Sequence, residues 1–95
     1  MSQLLPKNQF ILAVEPPKEG YFYGVIVMDL PGCCGGGETF EETLEDAKEA
    51  IELHVTSMLD EGEDIPPRYT LDKHVMNPEY IGCHWATIEV DIPGL

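Results

Sequence analysis

Eighteen acidic residues in a chain of 95 give carboxylates many chances to converge. Converging carboxylates hold divalent ions, and two such ions activate water against a phosphodiester. Asp29, Glu38 and Glu42 lie near one strand–helix junction. The first apolar segment, Gln9-Phe10-Ile11-Leu12-Ala13-Val14, offers no carboxylate at its middle. No spacing with mechanical content links the three acids, so they read as helix-capping and surface groups. Cys33, Cys34, Cys83, His54, His74 and His84 are the other candidates for chemistry. No C-x-x-C or H-x-x-x-H spacing is present, and adjacent cysteines ligate one metal poorly. Nothing in the pattern marks a cysteine as an activated nucleophile. Gly35-Gly36-Gly37 could cradle a phosphate, but the P-loop lysine is missing. The sequence therefore predicts no catalytic residue, no metal and no cofactor.

Charge narrows the partners. Asp and Glu number 18 against 5 Lys and Arg, a formal net charge of −13. Binding to nucleic-acid phosphates needs clustered Lys and Arg, so direct nucleic-acid binding by this chain is not expected. The same charge balance argues against an anionic membrane surface. The natural partner is a basic protein. Hydrophobic residues make up 43% of the chain, enough for a folded core despite the charge. No apolar run reaches transmembrane length, and Met1 to Lys7 lacks the layout of a secretory signal. Three cysteines, two of them adjacent, form no disulfide framework and point to a reduced, cytoplasmic protein.

The elements that must position these residues are few. Gln9–Val14 reads as a strand, stopped by Pro16-Pro17 and Gly20. Tyr21–Leu30 is a second strand forming an antiparallel hairpin with the first, closed by Pro31-Gly32. Cys33–Gly37 is a weak third strand, its glycines signalling close backbone approach or a mobile connection. A helix follows from about Phe40 to Glu61. Thr39 and Glu42 form a reciprocal capping box, and Gly62 with Pro66-Pro67 ends the helix. Phe40, Leu44, Ala47, Ile51, Val55 and Met58 make its apolar stripe. His54 sits about 60° from that stripe and reads as a boundary residue packed on the sheet. Leu53 sits about 160° away, among Glu42, Asp46 and Glu49. A short helical turn is expected at Leu71–Met76, ended by Asn77-Pro78, and a last strand at Ile81–Ile92. The chain is expected to be one domain over residues 1–95, of α+β class. It is a small β-β-β-α-β unit whose antiparallel sheet of three or four strands carries one main helix on one face. The middle strands are apolar at both parities, so a second face needs cover. A second copy of the chain, as homodimer or tetramer, or the Arg68–Tyr80 segment would supply it.

This order of elements resembles the HicB family of antitoxins. The resemblance rests on Asp29-Leu30-Pro31-Gly32-Cys33, on Gly37-Glu38-Thr39-Phe40-Glu41-Glu42 opening the helix, and on Glu45 to Leu53 within it. Glu61-Gly62-Glu63-Asp64-Ile65-Pro66 and the closing Trp85-Ala86-Thr87-Ile88-Glu89-Val90-Asp91 also match. The resemblance implies a partial RNase H-like fold. It implies an antitoxin that neutralises a HicA-type toxin, a small basic mRNA-cleaving protein, by covering its active surface. Family members often continue into a DNA-binding segment; this sequence stops at Leu95, either as a stand-alone domain or as a chain cut short. Asp29, Glu42, Asp46, Glu49 and Leu53 are the partner-binding candidates. The rival readings are a solitary homo-oligomeric relative of unknown ligand and a residual RNase H-type nuclease.

Overall fold

The computed structural model describes residues 3–95. Its elements are β1 (Gln9–Glu15), β2 (Tyr23–Val27), β3 (Cys34–Gly37), α1 (Phe40–Asp60) and β4 (His84–Glu89), with 3-10 turns at Leu71–Lys73 and Pro78–Tyr80. The sheet order is β3-β2-β1-β4, with every neighbouring pair antiparallel. This is the expected α+β architecture with one main helix.

Alternation along β1 divides its side chains between two cores. Phe10, Leu12 and Val14 meet Ala47, Ile51 and Val55 of α1. Ile11 and Ala13 face the other way, with Met28. Full burial of each large apolar side chain contributes about 1.5–3 kcal/mol. Both faces of β1 are sealed, which explains its near-continuous apolar run.

Two strands are shorter than the pattern predicts. The ladder of β2 begins at Tyr23, leaving Tyr21 and Phe22 outside it. At its other end Asp29 takes a left-handed backbone, φ 60°, which ends the strand. Leu30 is thereby turned into the α1-side core, although strand alternation puts it with Met28. β4 starts only at His84, because Pro78–Tyr80 coils and Gly82 has a positive φ. Leu30-Pro31-Gly32-Cys33 closes a turn, with Cys33 N–H donating to Leu30 O at 3.1 Å. Proline second and glycine third, the latter at φ 83°, suit a type II turn.

The helix carries two corrections. Thr39 Oγ1 accepts from Glu42 N–H at 3.0 Å, but Glu42 Oε2 accepts from Glu38 N–H at 3.2 Å, so the return half of the cap is shifted by one residue. The buried stripe is Thr43, Ala47, Ile51 and Val55, while Phe40 lies at the margin with 36% exposure. Thr43 can be buried because its hydroxyl donates to Thr39 O at 2.8 Å.

The second face is covered from within the chain over its β1–β4 half. Leu5 N–H donates to Arg68 O at 2.8 Å, and Thr70 N–H to Gln3 O at 2.7 Å. These bonds join the N-terminal segment to residues 68–70. Beyond them, Tyr80, Cys83 and Trp85 pack on Ile11, Ala13 and Met28. Arg68 anchors this cover. Its Nε donates to Gln9 O at 3.0 Å and Nη1 to Pro66 O at 3.1 Å, while Nη2 reaches Lys7 O. The guanidinium also lies 4.4 Å from the Phe10 ring centroid. Burial pushes its pKa down from the ordinary value, and Asp29 opposes that shift.

Glycine in β3 is a packing requirement. A Cβ on Gly37 would stand 2.9 Å from Thr43 N and 3.0 Å from the Glu42 carbonyl carbon, both α1 backbone atoms. Gly37→Ala is expected to destabilise by about 1–3 kcal/mol through overpacking. Gly24→Ala, whose Cβ meets nothing closer than 4.0 Å, is expected to stay within about 0.5 kcal/mol of the parent. Urea unfolding followed by circular dichroism checks both; equal midpoints would contradict so close a seat of α1 on β3.

Candidate partner-binding face

Glu42, Asp46, Glu49 and Leu53 fall within about 60° of one another around α1 at 100° per residue. Leu53 is 75% exposed, the most exposed large apolar side chain of the helix. A shallow groove beside it is lined by Glu52, Thr56, Ser57, Asp60 and Glu61. Toward the helix start a second groove runs between β3 and α1, lined by Gly36, Gly37, Glu41, Glu42, Glu45 and Glu49 among others. Neither the Lys18–Glu15 ion pair nor the His74–Asp29 contact uses an α1 carboxylate. The last turn of α1 carries no basic residue. Like charges four residues apart each cost a helix about 0.2–0.5 kcal/mol. The acidic face is therefore a local cost to the helix that carries it.

The five candidates are not equivalent. Glu49 and Leu53 are exposed on the outer face. Glu42 is exposed, yet its carboxylate caps Glu38 N–H. Asp46 is half-buried, and its Oδ2 accepts from Gly36 N–H at 2.9 Å. Asp29 lies elsewhere. Its Oδ2 accepts from Tyr69 N–H at 2.8 Å and stands 3.0 Å from His74 Nε2. His74 in turn stacks on Trp85, centroids 6.4 Å apart, on the sheet face opposite α1. Asp29 thus clasps the second-face cover instead of joining the helix surface. It also stands apart from Glu38 and Glu42, so those three carboxylates do not converge.

Arg68 and Asp46 are structural residues whose roles spacing along the chain does not reveal. Arg68 acts mainly through the Lys7 and Gln9 carbonyls, far away in the chain, and Asp46 through Gly36 N–H on the neighbouring strand. A lone arginine after Pro66-Pro67, before a segment with scattered apolars, is the signal that was there to read.

Thiols and imidazoles are dispersed. His54 sits by the Pro31–Gly32 turn, as a boundary residue, and His84 packs edge-on against Phe40. No three His, Cys, Asp or Glu among the described residues form a group that could hold a metal ion. Cys33 is buried and Cys34 exposed. Burial, with Cys34 adding to it, pushes the Cys33 thiol from 9.0 up to about 11. The folded state then holds its proton more tightly than the unfolded state. The stability tied to a neutral Cys33 is complete below pH 9 and declines as pH rises toward about 11.

Two outcomes follow from this geometry. At pH 8 a disulfide reagent should modify Cys34 rapidly and Cys33 only on unfolding, since about one Cys33 in a thousand is then ionised; equal rates would contradict its burial. Asp29→Ala strands Tyr69 N–H and should cost on the order of 1–3 kcal/mol, with Trp85 emission shifting to the red. Asp29→Asn keeps an acceptor and tolerates the left-handed backbone, so it should recover most of that loss. Matching urea midpoints for the two variants would exclude the clasp.

Comparison with known proteins places this geometry. The model of the HicB-like antitoxin of bacterial toxin–antitoxin systems matches residues 10–95. An uncharacterized 14.9 kDa protein from the rep-hol intergenic region of Haemophilus phage HP1 is 33% identical over 84 residues, covering 88% of this chain. The chain spans 62% of that phage protein's length. The crystal structure of the N-terminal domain of Burkholderia pseudomallei antitoxin HicB is similar, with a TM-score of 0.78 and 38% identity over 88% of this chain and 99% of that domain. A chain of the HicA3 and HicB3 toxin–antitoxin complex shares the fold, with a TM-score of 0.73 and 23% identity over 87% of this chain and 98% of that one. With its matched residues running from β1 to the last residue, the chain belongs to the HicB-like antitoxin family.

Proposed function

We propose that this chain is a non-enzymatic, cytoplasmic antitoxin domain that binds a small basic HicA-type mRNA-cleaving toxin and covers its active surface. The observation that carries the reading is the outer face of α1, where exposed carboxylates surround a 75% exposed Leu53. A basic partner would relieve the helix's own charge repulsion, and Leu53 would bury apolar surface at the centre of the contact. Family membership and a fold neighbour drawn from a HicA3–HicB3 complex support the same reading. The chemistry asked of the chain is docking and occlusion; no bond is made or broken.

Glu49 and Leu53 are the residues we assign to this contact. Glu42, at the helix start, adds charge. Asp46 contributes by holding β3 to the helix. Opposite charge accelerates encounter, so association with the toxin should slow by about tenfold or more between low and high salt. Leu53→Asp should leave the circular dichroism unchanged and speed dissociation, while Glu49→Lys should mainly slow association. Co-expression with a tagged HicA-type toxin from the same source, scored by growth and co-purification, is the primary test. Rescue with a stable complex is the expected result. Failure of both, with the protein folded, would overturn the reading, and unchanged affinity in Leu53→Asp would remove this face from it.

A further inference from the structure

The N-terminal segment, the end of α1 and the Ile92–Leu95 turn enclose a cavity of about 380 Å³. Its apolar walls come from Leu5, Leu59, Ile65 and Leu95. The last three also pack against the core beneath α1, so the fold itself fixes their positions. Leu95 N–H donates to Ile92 O at 3.1 Å across Pro93 and Gly94, and Gly94 takes φ 88°, which suits a type II turn. A Cβ at Gly94 would stand 3.7 Å from Leu59 Cδ1, so this turn lies on the end of α1. On the other side Leu5 N–H donates to Arg68 O at 2.8 Å. A mostly apolar cavity of a few hundred Å³ with a few convergent polar groups is the usual form of a small-molecule site.

The side-chain polar groups that converge there are cationic. Lys7 and Arg68, two of the chain's 5 basic residues, line the cavity, and none of its 18 acids does. Lys7 is exposed and stands at the rim, whereas Arg68 is only 5% exposed. A guanidinium carries five N–H donors. Three of those on Arg68 go to the carbonyls of Gln9, Pro66 and Lys7. All three acceptors are neutral. Asp29, whose charge acts on Arg68, is engaged with Tyr69 N–H and His74. A buried cation held by neutral acceptors keeps an unbalanced charge, and burial accordingly pushes its pKa down. Two N–H groups and that charge are left for an anion. The apolar walls in turn give a strongly hydrated inorganic anion nothing to bury.

We propose that this cavity binds a small monocarboxylate with an apolar body. Lys7 and Arg68 hold the carboxylate, and Leu5, Leu59, Ile65 and Leu95 receive the body. The cations discriminate against an alcohol or amine of the same shape, and the walls against a carboxylate with no body to bury. The anion is attracted more strongly here than in water, because Arg68 lies in a largely desolvated wall. The site needs neither Glu49 nor Leu53, so it stands apart from the toxin contact.

A heteronuclear NMR titration of the full chain with octanoate tests it, at about 0.15 M salt, where a screening length near 8 Å mutes the distant acids. The expected result is saturable shifts of the Leu5, Ile65, Arg68 and Leu95 amides, with a Kd below about 1 mM. Octanol and octylamine carry the body without the negative charge and are expected to bind about tenfold more weakly or worse. Acetate carries the charge without the body and is expected to leave these amides unmoved. Lys7→Glu reverses one charge at an exposed position, and Leu4→Asp places a carboxylate on a lining residue that is 59% exposed. Each is expected to weaken octanoate several-fold with unchanged circular dichroism, and Leu53→Asp to bind it as the wild type does. Should Leu4→Asp unfold, Lys7→Glu alone decides, since its side chain supports no element of the fold. The absence of saturable shifts up to about 5 mM octanoate would overturn the proposal, that range lying well beyond the expected Kd. Equal affinity for octanol, or shifts confined to the exposed Phe22 and Ile26 region, would overturn it as well. Octanoate binding without toxin binding would sink the antitoxin reading alone.

Discussion

A sheet that is apolar on both faces and carries one helix must find a second cover, and most of this structure follows from that constraint. α1 seals the face made by Phe10, Leu12, Val14, Val25 and Val27. The opposite face receives the N-terminal segment and the stretch from Arg68 to Cys83, neither of which has a regular apolar repeat. Irregular segments bring unpaired backbone groups, and these need partners. The guanidinium of Arg68 supplies three donors to the carbonyls of Lys7, Gln9 and Pro66. Asp29 supplies acceptors at the other end, for Tyr69 N–H and His74. The carboxylate clasps the second-face cover, while the guanidinium, stacked over Phe10 of the α1-side core, ties the segment leading into that cover to β1 and the N-terminal stretch.

The same constraint shapes β3. To bring its N-terminal half down on the sheet edge, α1 must pass within contact of the β3 backbone, and only glycine leaves room. Asp46 then reaches over the edge to Gly36 N–H. This bond removes one donor from an otherwise open edge, and it withdraws one carboxylate from the helix surface. The acidic face is thus smaller than the count of acids on α1 suggests. It centres on Glu49 and Leu53, toward the middle of the helix.

Much of this architecture was legible in the sequence because it rests on local periodicity. The 3.6-residue repeat and the Thr39 cap define α1 to within a residue, and a short, partly β-branched apolar run defines β1. Pro31-Gly32 gives the turn, and of the two readings open for the Gly35–Gly37 run, close approach or a mobile connection, the structure shows the first. What was not legible depends on groups far apart in the chain. Asp29 reads as a surface acid near the helix, yet its left-handed backbone turns it toward a segment about forty residues away. Thr43 interrupts the apolar stripe by type and belongs to it by position, since its hydroxyl is satisfied one turn back. β2 and β4 are shorter than their apolar content predicts for a related reason. Apolar content continues past each strand, but Asp29 and Gly82 end the extended backbone first.

Charge sorts the surface of this protein into two regimes. The carboxylates of α1 lie on one side of the sheet and the neutral, partly exposed Phe22 and Ile26 on the other, in a molecule whose shortest dimension is 18 Å. At about 0.15 M salt the screening length is near 8 Å, so that thickness is roughly two screening lengths. Under such conditions each face responds mainly to its own residues. At about 0.01 M the screening length is near 30 Å and exceeds the thickness of the molecule. The acids of α1 then contribute to the potential at the opposite face. A basic protein seated on α1 would cancel part of that field.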